Sequence, residues 1–191
     1  MGLILASGSP RRREMLETAG IELLAVEPSN VPEIRLSHEH PVDYCRRLAH
    51  DKAKASTRQG HWVLAADTIV VLGQTIFEKP SDDAEAFQML SSLASEWHDV
   101  ISAWALRYVP HEDESELLIS EHSISKVRFR DLTSNELQAY IATGEPFDKA
   151  GGYGIQGKGA ALVQEIQGSY SNIVGMPLAE IISALREHNV I

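Results

Sequence analysis

A single carboxylate interrupts a long apolar run. Residues 63–72 read Val-Leu-Ala-Ala-Asp-Thr-Ile-Val-Val-Leu, aliphatic except at Asp67 and Thr68. A run of this kind, closed by the turn residues Gly73-Gln74, predicts a strand over Val63–Leu72 broken at Asp67-Thr68. Burying a carboxylate in such a strand is expensive unless it is paired, metal-bound or turned toward a cleft. A strand also gives the acid a defined direction, which a general base or metal ligand needs. A structural ion pair would meet the same demand, and the local pattern leaves both readings open.

Around this strand, elements alternate. Leu3–Ala6 predicts a first strand, stopped by Ser7-Gly8-Ser9. Pro10 then suits the first position of a helix with Ser9 as N-cap, since proline lacks the N–H that would be unsatisfied there, and Gly20 stops that helix. Leu23–Val26 predicts a second strand, followed by a polar loop over Pro28–His40. Val42, Cys45, Leu48, Ala49 and Lys52 then share one stripe of a helix from Pro41 to about Ser56. Ile76-Phe77 pairs back through the Gly73-Gln74 turn, and Ser81-Asp82-Asp83 opens a helix through Leu93. His98–Val109 and Leu117–Phe129 predict two long strands joined by the acidic segment His111–Glu116. Thr133-x-x-Glu136 is a capping box for a helix ending at Gly144. Ala160–Ile166 predicts a late strand, and Pro177 a final helix with Ile181, Ile182 and Leu185. The early alternation and the central hairpin together predict an α/β fold with a mixed, twisted sheet and flanking helices.

Composition narrows the function. Hydrophobic residues make up 43% of the 191 and charged residues 23%, the balance of a packed chain rather than a disordered one. A net charge of −10 argues against general affinity for nucleic acid or anionic membrane. No apolar run approaches the roughly 20 residues of a membrane-spanning helix. Met1–Ala6 reads as a strand rather than a signal peptide, and the lone Cys45 has no internal disulfide partner. The expected setting is cytoplasmic.

Against that negative charge, Arg11, Arg12 and Arg13 crowd the first turn of the first helix. The helix dipole disfavours cations there, so their presence suggests an anion that offsets the cost; a solvated basic patch is the alternative. Guanidinium groups suit phosphate because they donate in pairs. Lys52 either snorkels outward from its stripe or aims its ammonium into a cleft. Lys79, after the short Ile76-Phe77 strand, could return to the sheet end near Asp67. The segment 144–157 carries five glycines along with Asp148, Lys149 and Gln156, and the Gln156 amide can read a base edge. A plain surface loop would explain the same glycines. His38-Glu39-His40 lacks the remaining ligands of a metal set, and Cys45 fits a small core residue.

Four blocks carry a resemblance: LILASGSPRRREML, AADTIVVLGQTIFEKP, GEPFDKAGGYGIQGKGA and GSYSNIVGMPL, in that order from residue 3 to residue 178. Together they resemble the Maf family of nucleoside triphosphate pyrophosphatases, whose architecture is Ham1-like. The resemblance implies one domain over residues 1–191, built as two lobes around a deep cleft, and often a homodimer. It implies hydrolysis of nucleoside triphosphates between the α and β phosphates with a divalent cation, Mg²⁺ or Mn²⁺. It makes Asp67 the general base, with Lys52 and Lys79 beside it, and Glu33 with Asp67 the metal carboxylates. Ser7, Ser9, Arg11, Arg12, Asp148 and Lys149 fall on substrate-binding positions. Arg11, Thr68 and Gln156 agree with the dTTP/UTP branch. The family was named for a link to septum formation, so a nucleotide-binding regulator of division with little catalysis is the alternative expectation.

Overall fold

The structure is a computed structural model and describes residues 2–112 and 114–191; Met1 and Asp113, which belong to the expected first segment and acidic turn, lie outside the described residues. Seven strands form one sheet in the order β2-β1-β3-β5-β6-β7, with β4 paired to β3. They are β1 (Leu3–Leu5), β2 (Leu23–Val26), β3 (His61–Leu72), β4 (Thr75–Phe77), β5 (Trp97–Val109), β6 (Leu117–Phe129) and β7 (Val163–Gln167). The sheet is mixed: β1 runs parallel to β2 and β3, while β4 on β3 and β7 on β6 are antiparallel. The helices are α1 (Pro10–Thr18), α2 (Pro41–Lys54), α3 (Asp83–Leu93), α4 (Ser134–Ile141), α5 (Tyr170–Val174) and α6 (Leu178–Glu187). No described helix is long and apolar enough to cross a membrane.

The chain divides into two compact units, each with its own core. The first contains the chain up to Asp67, Ser102–Ser123 and Gly175–Ile191. Its core packs Leu3, Leu5, Leu16, Trp62, Leu64, Trp104, Leu106, Met176, Ile181 and Leu185. β1 lies beside the first half of β3, with Leu3 opposite Trp62 and Leu5 opposite Leu64. Helix α2 buries Cys45, Leu48, Ala49 and Lys52, as its stripe predicts. Arg107 closes its C-terminal end, donating from Nη1 to the carbonyls of Ala53, Lys54 and Ser56 at 3.3, 3.0 and 2.9 Å. The first two are acceptors that the end of a helix leaves unsatisfied, and the third lies just past its cap.

The second unit contains Thr68–Ile101 and Ile124–Val174. The second half of β3 pairs with β4, Val70 opposite Phe77 and Leu72 opposite Thr75, around the Gly73 turn. Its helix starts follow the sequence signals. Asp82 accepts from the Glu85 N–H at 2.8 Å to cap α3, and Thr133 with Glu136 forms the capping box of α4.

Four local features differ from the sequence reading. Strand β3 runs unbroken through Asp67 and Thr68, because backbone pairing is indifferent to the carboxylate once its charge has a partner. Ser9 sits at the N-cap of α1 but makes no side-chain cap. The late strand begins at Val163, not Ala160: residues 157–162 are wound as a 3₁₀ turn with Gly157 at φ +64°. The five-residue α5 has no apolar period of its own and escapes detection by spacing.

Within the second core, His98 is 2% exposed. Its Nε2 shares a 2.7 Å hydrogen bond with the Tyr153 hydroxyl, and both rings meet Phe129 edge-on. Burial pushes the imidazole down from 6.5 to about 4. It is neutral in the folded state, so below pH 6.5 the unfolded chain binds more protons. The His98 contribution is intact above pH 6.5 and is lost toward pH 4, at about 1.4 kcal/mol per pH unit. Urea unfolding of wild type and His98→Asn at pH 7 and pH 5 should show the wild type losing more stability on acidification than the variant.

Candidate active site

Strand β3 carries Asp67 at the end of the first unit, 6% exposed. Helix α2 aims Lys52 at it: the Lys52 Nζ donates to Asp67 Oδ1 at 2.6 Å and to Glu33 Oε1 at 2.5 Å. Lys52 is itself buried, so its apolar stripe carries the ammonium inward rather than out to solvent. Glu33 comes from the loop before α2 and keeps 45% of its side chain exposed. The loop is pinned by the Tyr44 hydroxyl, which donates to the Glu33 carbonyl at 3.1 Å. Arg47 adds bonds to Glu39 at 2.7 Å and to the Ile34 carbonyl at 2.9 Å.

Arg12 completes this cluster from the opposite direction. Its Nη1 donates to the Ala66 carbonyl at 2.8 Å and to Ser7 Oγ at 3.2 Å, and its Nε to the Gly175 carbonyl at 3.0 Å. Ser7 Oγ also accepts from the Ser9 N–H at 3.2 Å, which sets the turn from β1 into α1 and uses one backbone donor internally. Arg11 lies half-buried beside it on the same first turn. Arg13 does not join the group: it is exposed and pairs with Glu17 at 2.7 Å, so two arginines rather than three carry the anion argument.

Burial raises the Asp67 carboxyl above its usual range, against the opposing pull of Lys52 and then Arg12. Burial also lowers the Arg12 guanidinium from its ordinary value, with Asp67 pulling the other way. The Cys45 thiol, which donates to the Asp67 carbonyl at 3.5 Å, is pushed far up by burial and is no nucleophile. Glu33 and Asp67 are hard oxygen donors of the type Mg²⁺ or Mn²⁺ prefers. Among the described residues no group of three or more His, Cys, Asp and Glu side chains is arranged to hold a metal. Glu33 and Asp67 are the two carboxylates that could hold such a cation, and both are bonded to Lys52.

The remaining expected residues belong to the second unit. Thr68 follows Asp67 on β3 and is half-buried. Lys79 is exposed just after β4, where the neighbouring Glu78 carbonyl accepts from the Gly151 N–H at 3.0 Å. Lys149 Nζ pairs with Asp148 at 2.5 Å and donates to the Glu145 carbonyl at 2.6 Å. Gln156 is exposed. Sequence reasoning missed the roles of Tyr44, Arg47 and Glu145. Their partners lie 11, 13 and up to 14 residues away in irregular loops, where no period relates them.

An α/β fold here carries a strand-borne carboxylate set between an inward lysine and an arginine on a strand-to-helix turn, cations of the kind that suit a polyanion. The comparisons specify the class. The family model described as Maf-like protein matches residues 2–188, and the chain belongs to the Maf family. It is 44% identical over 186 residues to the dTTP/UTP pyrophosphatase of Geobacter sulfurreducens, covering 96% of this chain and 95% of that one. It is 46% identical over 191 residues to the dTTP/UTP pyrophosphatase of Geotalea uraniireducens, covering 99% and 96%. Among solved structures, a HAM1 protein from Coxiella burnetii matches with a TM-score of 0.50 over 97% of this chain and 98% of that one. At 18% identity that likeness is one of fold.

The Lys52–Asp67 pair gives a direct test of the electrostatics. Lys52→Met leaves a buried carboxylate without its nearest cation, which should destabilise the protein by about 3 kcal/mol or more and raise the Asp67 carboxyl further. Urea unfolding and a carbon-13 carboxyl titration should report both, and adding Asp67→Asn to Lys52→Met should recover much of the lost stability.

Proposed function

We propose that the chain hydrolyses dTTP and UTP to the monophosphate and pyrophosphate, removing nucleotides that should not be incorporated. The observation that carries this reading is the buried, strand-held Asp67 at 2.6 Å from Lys52, in a chain 43–46% identical to relatives named dTTP/UTP pyrophosphatase. Near-complete coverage on both sides supports carrying the relatives' activity over.

In the proposed reaction Asp67 takes a proton from the water that attacks the α-phosphorus. The new P–O bond forms as the bond from that phosphorus to the bridging oxygen breaks, and pyrophosphate leaves. Such chemistry needs positioning and charge neutralisation more than covalent participation. Arg11, Arg12, Lys52 and Lys79 are assigned to the phosphate charge, and Ser7, Ser9, Asp148 and Lys149 to substrate binding. Thr68 and Gln156, with Arg11, are assigned to recognition of the pyrimidine. Glu33 and Asp67 would hold a divalent cation, Mg²⁺ or Mn²⁺, which when bound neutralises phosphate charge. A homodimer in the cytoplasm is proposed on the family resemblance, and the charge of −10 supports a small-molecule substrate rather than nucleic acid.

Pyrophosphate and orthophosphate release from dTTP, UTP, CTP, GTP and 7-methyl-GTP, with Mg²⁺ or Mn²⁺, tests the reading. Pyrophosphate from dTTP and UTP is expected, abolished by chelation. Asp67→Asn should lower turnover by about 10²–10⁴-fold while nucleotide binding persists. Orthophosphate as the first product, or binding without product in the wild type, would overturn the proposal; the second result would favour the regulatory role.

A further inference from the structure

The glycine-rich segment that presents Gln156 is closed on itself by a carboxylate outside the proposed catalytic set. Glu145 Oε1 accepts from the Lys158 N–H at 3.0 Å, and its Oε2 from the Gly159 N–H at 3.2 Å. Both amides lie within three residues of Gln156, on the turn that begins there. Lys149 Nζ holds the other end of the segment by its bond to the Glu145 carbonyl at 2.6 Å.

The glycines fit this closure rather than general looseness. A Cβ on Gly157 would lie 3.0 Å from Glu145 Oε1, at a φ of +64° that already favours glycine. A Cβ on Gly159 would fall 2.3 Å from the Gly154 carbonyl oxygen. Backbone therefore meets backbone across the base of the loop, leaving Gln156 exposed between them. Three residues before it, the buried Tyr153 is fixed to His98 at 2.7 Å. The chain is thus held on both sides of Gln156, which itself is exposed.

We propose that Glu145 is a positioning residue for nucleobase choice: by receiving two backbone N–H groups it sets where Gln156 is presented, without touching the substrate itself. The proposal rests on Gln156 reading the base. The clamp requires a carboxylate of this length. Glutamine would turn an N–H₂ donor against one of the two N–H groups, and aspartate is one methylene short.

The experiment measures kcat and KM for dTTP, UTP and CTP in wild type, Glu145→Gln, Gln156→Ala and the double variant, with hydrogen exchange at the Lys158 and Gly159 amides. In Glu145→Gln we expect faster exchange at one or both amides. KM for dTTP should rise about fivefold, the size of one neutral hydrogen bond, with kcat nearly unchanged and a weaker preference for dTTP over CTP. Because Glu145 acts through Gln156, the double variant should be no worse than Gln156→Ala alone. Faster exchange with unchanged KM and preference would overturn the proposal. So would an additive double variant, or an equal fall in kcat for every nucleotide. A wild type that treats all three nucleotides alike would instead overturn the reading of Gln156, and that result is in hand before any variant is compared.

Discussion

The first unit is organised around one ammonium group. Lys52 reaches two carboxylates at 2.5 and 2.6 Å, and both Lys52 and Asp67 are less than a tenth exposed. In so dry a place neither charge is tolerable without the other. The register of α2, the direction of β3 and the course of the loop holding Glu33 must all agree for the pair to form. Arg12 extends the constraint to the backbone. It donates to the Ala66 carbonyl one residue before Asp67, while Cys45 donates to the Asp67 carbonyl itself. The carboxylate is thereby fixed in direction as well as charge, the property that proton abstraction demands.

Stability alone gives no reason to keep such a group. Apolar side chains of matching shape in place of a buried ion pair are often neutral or stabilising. The proposed role of Asp67 as general base would give the pair a purpose that packing does not. Glu33, half in water, adds little to stability, since an exposed partner gains little from Coulomb attraction.

The second unit would serve a different kind of recognition under the proposed assignment of Gln156 to the base. Its glycine-rich segment is tied internally by Glu145 and Lys149, which donate or accept within the loop. Tyr153, three residues before Gln156, rests on a neutral histidine. A neutral amide such as that of Gln156 discriminates by hydrogen-bond pattern rather than by charge, and such discrimination needs a fixed backbone. The Lys52–Asp67 pair lies with one core and the Glu145-tied segment with the other, each with its own apolar packing.

Local rules were enough for most elements. The Pro10 and Pro41 helix starts, the Thr133 capping box, the α2 stripe and the Gly73 hairpin turn depend on neighbours within a few residues, and all are legible by eye. The presence of Asp67 in an apolar strand already required a partner or a cleft. The family resemblance named Lys52 and Glu33 beside it, but no local rule did, because they are 15 and 34 positions away and only packing of α2 and its preceding loop against β3 brings them in. The unbroken β3, the turns over residues 157–162, the inward course of Arg12 and the outward course of Arg13 were likewise settled by tertiary contacts. Sequence by itself determined most of the helices and strands and which residues carried unusual chemistry, since those depend on short-range sterics and on the cost of burying charge. Tertiary structure alone decided which charges meet, because a hydrogen bond between distant residues leaves no periodic trace in the chain.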